Sequence, residues 1–157
     1  MSRYEQYDRL GAPQKRGQAT EAIVRAELVS RGVSVLVPEY DNEPYDLAIE
    51  IDGTFYRIQA KTAFEATTDG AVRFRTRSVR TKGSGYEREG YEGKIDIFAV
   101  YAPTREEVYL IPIEDVGETQ MTIRYAPARN GNTKRVNWYE DYLLDAVLPS
   151  LGWNPVG

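Results

Sequence analysis

The sequence predicts an α/β fold, and three observations carry that prediction. An apolar stripe at helical spacing runs through residues 17–31, two alternating runs flank Asp52-Gly53, and further alternating runs follow before a closing helix. At 157 residues the chain is long enough to hide roughly 70% of its unfolded surface in a core, so one domain spanning residues 1–157 is expected.

The helix is placed by Thr20, Ile23, Val24 and Leu28, which share one face, and Gly32 stands where a helix ends. The polar segment before it, 11–18, is expected to be a loop. A short β-prone run follows, broken by Pro38 and Pro44. Asp-Gly between alternating runs is the signature of a two-residue type I′ turn. It sets Ile51 opposite Thr54, Ile49 opposite Tyr56 and Leu47 opposite Ile58, and carried one step further it sets Asp46 opposite Gln59. Leu47, Ile49, Ile51, Tyr56, Ile58 and Ala60 then form the core face. Asp46, Ala48, Glu50, Phe55, Arg57, Gln59 and Lys61 form the other, with Glu50 and Arg57 as a diagonal ion pair.

Downstream, residues 71–80 alternate as one strand, with Val72, Phe74 and Thr76 on one face and Arg73, Arg75 and Arg77 on the other. The glycine-rich stretch 82–93 is expected to be a mobile loop. Two strands are expected around Pro103-Thr104, and a short helix near the C-terminus.

Composition narrows the chemistry. With no cysteine and no histidine, the chain has no thiol nucleophile, no imidazole base, no Cys/His zinc site and no disulfide framework. Carboxylates, amides, lysine and hydroxyls remain. No apolar run approaches the roughly 18 residues of a membrane span, and a cytoplasmic, membrane-free protein is expected. The net charge of -4 hides strong local bias. Arg73, Arg75, Arg77, Arg80 and Lys82 occur with no acid between residues 71 and 86, and Arg124, Arg129, Lys134 and Arg135 precede the next acid, Glu140. Such clusters suit phosphate neutralisation, and Asn130, Asn132 and Asn137 suit base edges or turns.

An acid at the end of one strand, followed on the next by an acid or amide two residues before a lysine, suits phosphodiester hydrolysis. The i, i+2 spacing points both side chains to one face, a carboxylate holds a hard cation against the phosphate, and the lysine positions the attacking water. Here those residues are Asp46, Gln59 and Lys61, with Glu21 upstream on the helix. Mg²⁺ needs only one or two carboxylates plus phosphate and water, so the lack of histidine and cysteine is no obstacle.

These residues, as Glu21, Pro44-Tyr45-Asp46 and Gln59-Ala60-Lys61, resemble the PD-(D/E)XK nuclease superfamily. Within it the wording around 17–24 and 45–63 is most similar to intron-encoded homing endonucleases, and more distantly to archaeal Holliday junction resolvases. The resemblance covers residues 15–115 and leaves 116–157 as a C-terminal extension. It implies a restriction-endonuclease-like core, a mixed β-sheet flanked by α-helices. It also implies roles: Asp46 as central metal ligand, Glu21 as a helix-borne carboxylate, the Ala60 carbonyl as a further ligand, and Lys61 as the water-positioning lysine. Gln59 stands where the superfamily has Glu or Asp, offering an oxygen without charge. The activity implied is Mg²⁺-dependent cleavage of double-stranded DNA, with Mn²⁺ able to substitute, by a homo-oligomer, dimer or tetramer. The aromatic segment from Trp138 to Leu144 is expected either to make that contact or to cap the core. The alternatives are a junction resolvase or a repair or restriction nuclease on the same core, and a DNA-binding module that has lost catalysis.

Overall fold

The computed structural model describes residues 1–82, 85–128, 130–131 and 136–155, and side chains for all of these except 78–82 and 85–89. Helix α1 (Arg3–Asp8) opens with a reciprocal capping box between Ser2 and Glu5. Helix α2 (Pro13–Ser30) starts earlier than the sequence suggests, because Pro13 takes the first helical position, where its fixed φ suits the helix and its missing N–H costs nothing. Gly17 therefore lies inside the helix rather than before it, and the loop expected over 11–18 is mostly helical. The helix ends where Gly32 turns left-handed. The amides of Gly32 and Val33 donate to the carbonyls of Val29 and Leu28, a Schellman cap in which Val33 and Leu28 join the same core.

Five strands form the main sheet: β1 (Ser34–Leu36), β2 (Leu47–Ile51), β3 (Thr54–Thr62), β8 (Ile97–Ala102) and β9 (Glu107–Pro112), in the order β1-β2-β3-β8-β9. All neighbours are antiparallel except β3 and β8, so the sheet is mixed. The β2–β3 turn has positive φ at Asp52 and Gly53, and Leu47 pairs with Ile58 as the turn chemistry predicts. β8 is buried at every position.

The two faces bury different things. Helices α1 and α2 and helix α3 (Leu144–Ser150) place Tyr7, Val24, Leu28, Leu144, Val147 and Leu148 against Leu47, Ile49, Ile58, Ala99 and Tyr101. On the other face a second sheet, built from β4 (Phe64–Glu65), β5 (Ala71–Arg75) and β10 (Gln120–Arg124), sets Val72, Phe74, Met121 and Ile123 against Phe98, Val100, Tyr109 and Ile111. This sheet lies within and beyond the long crossover that parallel β3 and β8 require.

Three further local expectations are corrected, and one strand was not expected. The strand expected over 71–80 divides at Thr76, whose N–H and hydroxyl donate to the carbonyls of Thr119 and Gly117; the continuation is β6 (Arg77–Lys82). The stretch expected as a mobile loop contains β7 (Gly85–Gly90), paired antiparallel with β6. β10 was hidden because only Met121 and Ile123 alternate there. Arg57 does not pair with Glu50: it forks onto both carboxylate oxygens of Asp96, each at 3.2 Å, while Glu50 accepts from the Gly53 amide.

Candidate active site

β3 is longer than β2, and the mismatch makes a notch. The β2–β3 ladder ends at Leu47–Ile58, so the β2 edge of residues 59–62 has no strand beside it. Asp46 stands at the mouth of this notch. Its amide donates to the Ile58 carbonyl at 2.9 Å, one residue short of the position opposite Gln59 that simple extrapolation predicts. The chain has left the ladder, and the Asp46 carboxylate replaces the missing strand: Oδ2 accepts the Ala60 amide at 2.8 Å. Residues 57 and 63 direct their backbone groups to the β8 side, so Ala60, out of phase with them, directs its carbonyl into the notch along with its amide.

Three side chains converge there from different layers. Glu21 arrives from α2 on the helical face, fixed by its neighbour Thr20, which is buried and whose hydroxyl lies 2.7 Å from that of Thr62. Lys61 lies on the opposite face with Gln59, since their partners Phe98 and Val100 belong to the core under the second sheet. Asp46 lies between, at the edge. Desolvation raises the Glu21 carboxyl, and the adjacent Asp46 adds repulsion and a hydrogen bond in the same direction, with a smaller push from Asp41. Desolvation also raises Asp46, against the opposing pull of the Ala60 amide, Lys61 and Glu21. Burial lowers Lys61, Asp46 counteracts, and Arg75 lowers it further.

Both carboxyls are pushed up by burial, and a divalent cation would offset the cost of holding two negative charges side by side in the notch. Among the described residues no group of three or more Asp, Glu, His or Cys forms a metal cluster. The donors available are hard oxygens: Glu21, Asp46, the Ala60 carbonyl and, farther round on the Lys61 face, the Gln59 amide. That set fits an ion which keeps several waters and takes one or two carboxylates.

Sequence reasoning missed Tyr91. Its ring lies 4.9 Å from Lys61 Nζ, is almost fully buried, and meets Phe98 edge-on at 5.4 Å. Aromatics spaced through the glycine-rich stretch were the only signal. Of the arginines, Arg75 is exposed and close enough to influence Lys61. Arg73 Nε donates to Thr122 Oγ1 at 3.1 Å and Arg77 Nε to the Glu118 carbonyl at 2.6 Å, so both are partly engaged. Arg124 donates to the carbonyls of Ala126 and Asp69, and Asn137 to that of Thr122. The side chains of Arg80 and Lys82, and residues Arg129, Asn132, Lys134 and Arg135, lie outside the described residues.

The family model described as PD-(D/E)XK endonuclease matches residues 12–145. The chain belongs to the PD-(D/E)XK endonuclease family. Its match spans α2, both hairpin strands and the start of α3, and so contains every residue of the notch. Protein 5.3 of Escherichia phage T7 is 31% identical over 108 residues, covering 68% of this chain and 86% of that protein. The structure of a bacterial homing endonuclease, I-Ssp6803I, superposes with a TM-score of 0.72 at 19% identity, over 90% of this chain and 95% of that one. At that identity the likeness is one of fold, and the mixed sheet flanked by helices is the fold that this family member shares. No helix among the described residues is long and apolar enough to cross a membrane.

Proposed function

We propose that this PD-(D/E)XK family member is a metal-dependent endonuclease of double-stranded DNA, homing-endonuclease-like, acting as a single domain in a cytoplasmic homo-oligomer, dimer or tetramer. The observation that carries the reading is the Asp46 carboxylate: bound to the Ala60 amide at 2.8 Å, it faces Glu21 on one side and Lys61 on the other.

Asp46, Glu21 and the Ala60 carbonyl would hold Mg²⁺, with Mn²⁺ able to substitute, and Gln59 would contribute an uncharged oxygen. Held there, such an ion would supply positive charge to a phosphate oxygen and lower the pKa of a water. The protein does the rest. The Ala60 amide keeps Asp46 in one rotamer, and the Thr20–Thr62 hydroxyl contact at 2.7 Å holds α2, and with it Glu21, against β3. Lys61, pressed between Asp46 and the Tyr91 ring, orients the attacking water and offsets charge on the phosphate. Arg75 stands in the open beside it, suited to a flanking phosphate, and Arg73, Arg77, Arg80, Lys82, Arg129, Lys134 and Arg135 belong to the same proposed DNA surface.

Gln59 favours a second reading, a DNA-binding module without catalysis, because an amide cannot act as a base. The test is incubation of a supercoiled plasmid pool and a synthetic four-way junction with Mg²⁺ or with EDTA. Mg²⁺-dependent linear products support the endonuclease, junction-only cutting makes it a resolvase, and binding without cutting supports the inactive module.

A further inference from the structure

A second cleft opens beside the notch, at the end of β3. It is small, about 210 Å³, below the usual ~300–1,000 Å³ of drug-sized sites, and suits one ring system rather than a helix or a chain. Its walls include Tyr4, Tyr7, Arg16, Asp8, Phe64 and Glu65.

The walls combine exposed aromatic faces with a guanidinium and two carboxylates. Phe64 and Tyr4 are large aromatic residues left 55% and 37% exposed, faces on which a heterocycle can stack. Among the described residues Arg16 Nε is buried with no hydrogen-bond partner, and Nη2 of the same guanidinium donates to the Asp8 carbonyl at 3.3 Å and lies 3.9 Å from its carboxylate. Glu65 accepts the hydroxyls of Thr104 and Tyr125, one on each oxygen, and a carboxylate has lone pairs to spare beyond these. A free phosphate would be repelled by Asp8 and Glu65. A base edge carries both kinds of group, amino donors for the carboxylates and ring or carbonyl acceptors for the guanidinium.

The location ties the cleft to the notch. Tyr7 lines it, and the Tyr7 hydroxyl reaches those of Thr20 and Thr62, the neighbours of Glu21 and Lys61. Phe64 follows Lys61 by three residues, just past the end of β3 at Thr62 and at the start of β4.

We infer that the cleft takes an unpaired base of the DNA strand beside the scissile phosphate, which makes DNA carrying an unpaired nucleotide a preferred substrate over continuous duplex. The inference rests on the endonuclease reading above, since it places the phosphate at Asp46. A base still in its stack cannot enter the cleft, whereas one at a bulge, flap or branch point has already left it, so the cost of extrusion falls on the DNA structure rather than on the protein.

The test compares binding of a fluorescent duplex with that of the same duplex bearing a single-nucleotide 2-aminopurine bulge, in EDTA so that neither is cut. Wild type should bind the bulged DNA about tenfold more tightly, the scale of one aromatic–base stack, and quench the 2-aminopurine. Phe64→Ala should lose both the preference and the quenching while its affinity for continuous duplex stays unchanged, and Phe64→Tyr should keep both. Equal wild-type affinity for the two DNAs, or loss in Phe64→Ala that is the same for both, overturns the inference. Addition of Mg²⁺ separates the two claims. Cutting without bulge preference overturns the cleft alone, and bulge preference without cutting of either DNA overturns the endonuclease reading and leaves the cleft standing.

Discussion

Asp46 completes the sheet for Ala60: its Oδ2 accepts the Ala60 amide at 2.8 Å where β2 has run out. One side chain therefore has two duties, an edge hydrogen bond and a candidate metal ligand, and substitutions can separate them. Asp46→Asn keeps an acceptor and loses the charge; Asp46→Ala loses both and strands the amide. Urea unfolding should find Asp46→Asn within about 1 kcal/mol of wild type and Asp46→Ala destabilised by about 1–3 kcal/mol. Equal loss in both would mean that the amide bond contributes nothing.

Gln59→Glu adds charge on the face of Lys61, at the position where the family pattern carries an acid. Charge count is one determinant of cation affinity, so the Mg²⁺ concentration for half-maximal cleavage should fall severalfold. A titration curve that does not move would place Gln59 outside the metal site.

Arg75 and Arg77 should differ. Arg75 is exposed, whereas Arg77 Nε already donates to the Glu118 carbonyl at 2.6 Å. Arg75→Ala should reduce the slope of log affinity against log salt by about 0.9, one phosphate contact, with a smaller change for Arg77→Ala. Equal slopes for wild type and Arg75→Ala would return Arg75 to an ordinary solvated role.

Asp96 gives a pH signature independent of catalysis. Burial pushes its carboxyl up, but hydrogen bonds and charge from Arg57 more than offset this and hold it below the usual range. A depressed folded-state pKa contributes stability above the unfolded value of about 3.9, and that contribution is lost as pH falls through the folded value. The melting temperature of Asp96→Asn should therefore drop less steeply below about pH 4 than that of wild type. Parallel pH profiles would contradict the pairing.

Legibility in the sequence followed the range of the controlling interaction. The hairpin register was readable because Asp52-Gly53 adopts positive φ at both positions and the turn alone dictates which residues face each other. Gly32 was readable as a helix stop for the same local reason. The start of α2 was misread because residues 13–16 carry no apolar stripe, and the helix begins where Pro13 takes its first position. Thr76 breaks its strand through bonds to carbonyls some forty residues away, which no window of sequence reveals. At the site, Asp46, Gln59 and Lys61 were expected together from the register, but the bond from the Ala60 amide to Asp46 was not, because the chain leaves the ladder at Asp46. The capture of Lys61 by Tyr91 was not, because it depends on how the crossover folds back over β8. Nor was the choice of Asp96 over Glu50 by Arg57, which is decided by the parallel pairing of β3 with β8.

A metal-dependent nuclease centre in the notch is tested by measuring DNA cleavage and DNA binding side by side for wild type, Asp46→Asn and Lys61→Ala in Mg²⁺. Wild type should cut in a Mg²⁺-dependent manner, and in both variants cleavage should fall by at least about 10²-fold while binding changes little. Cleavage that persists in either variant at the wild-type rate would contradict it.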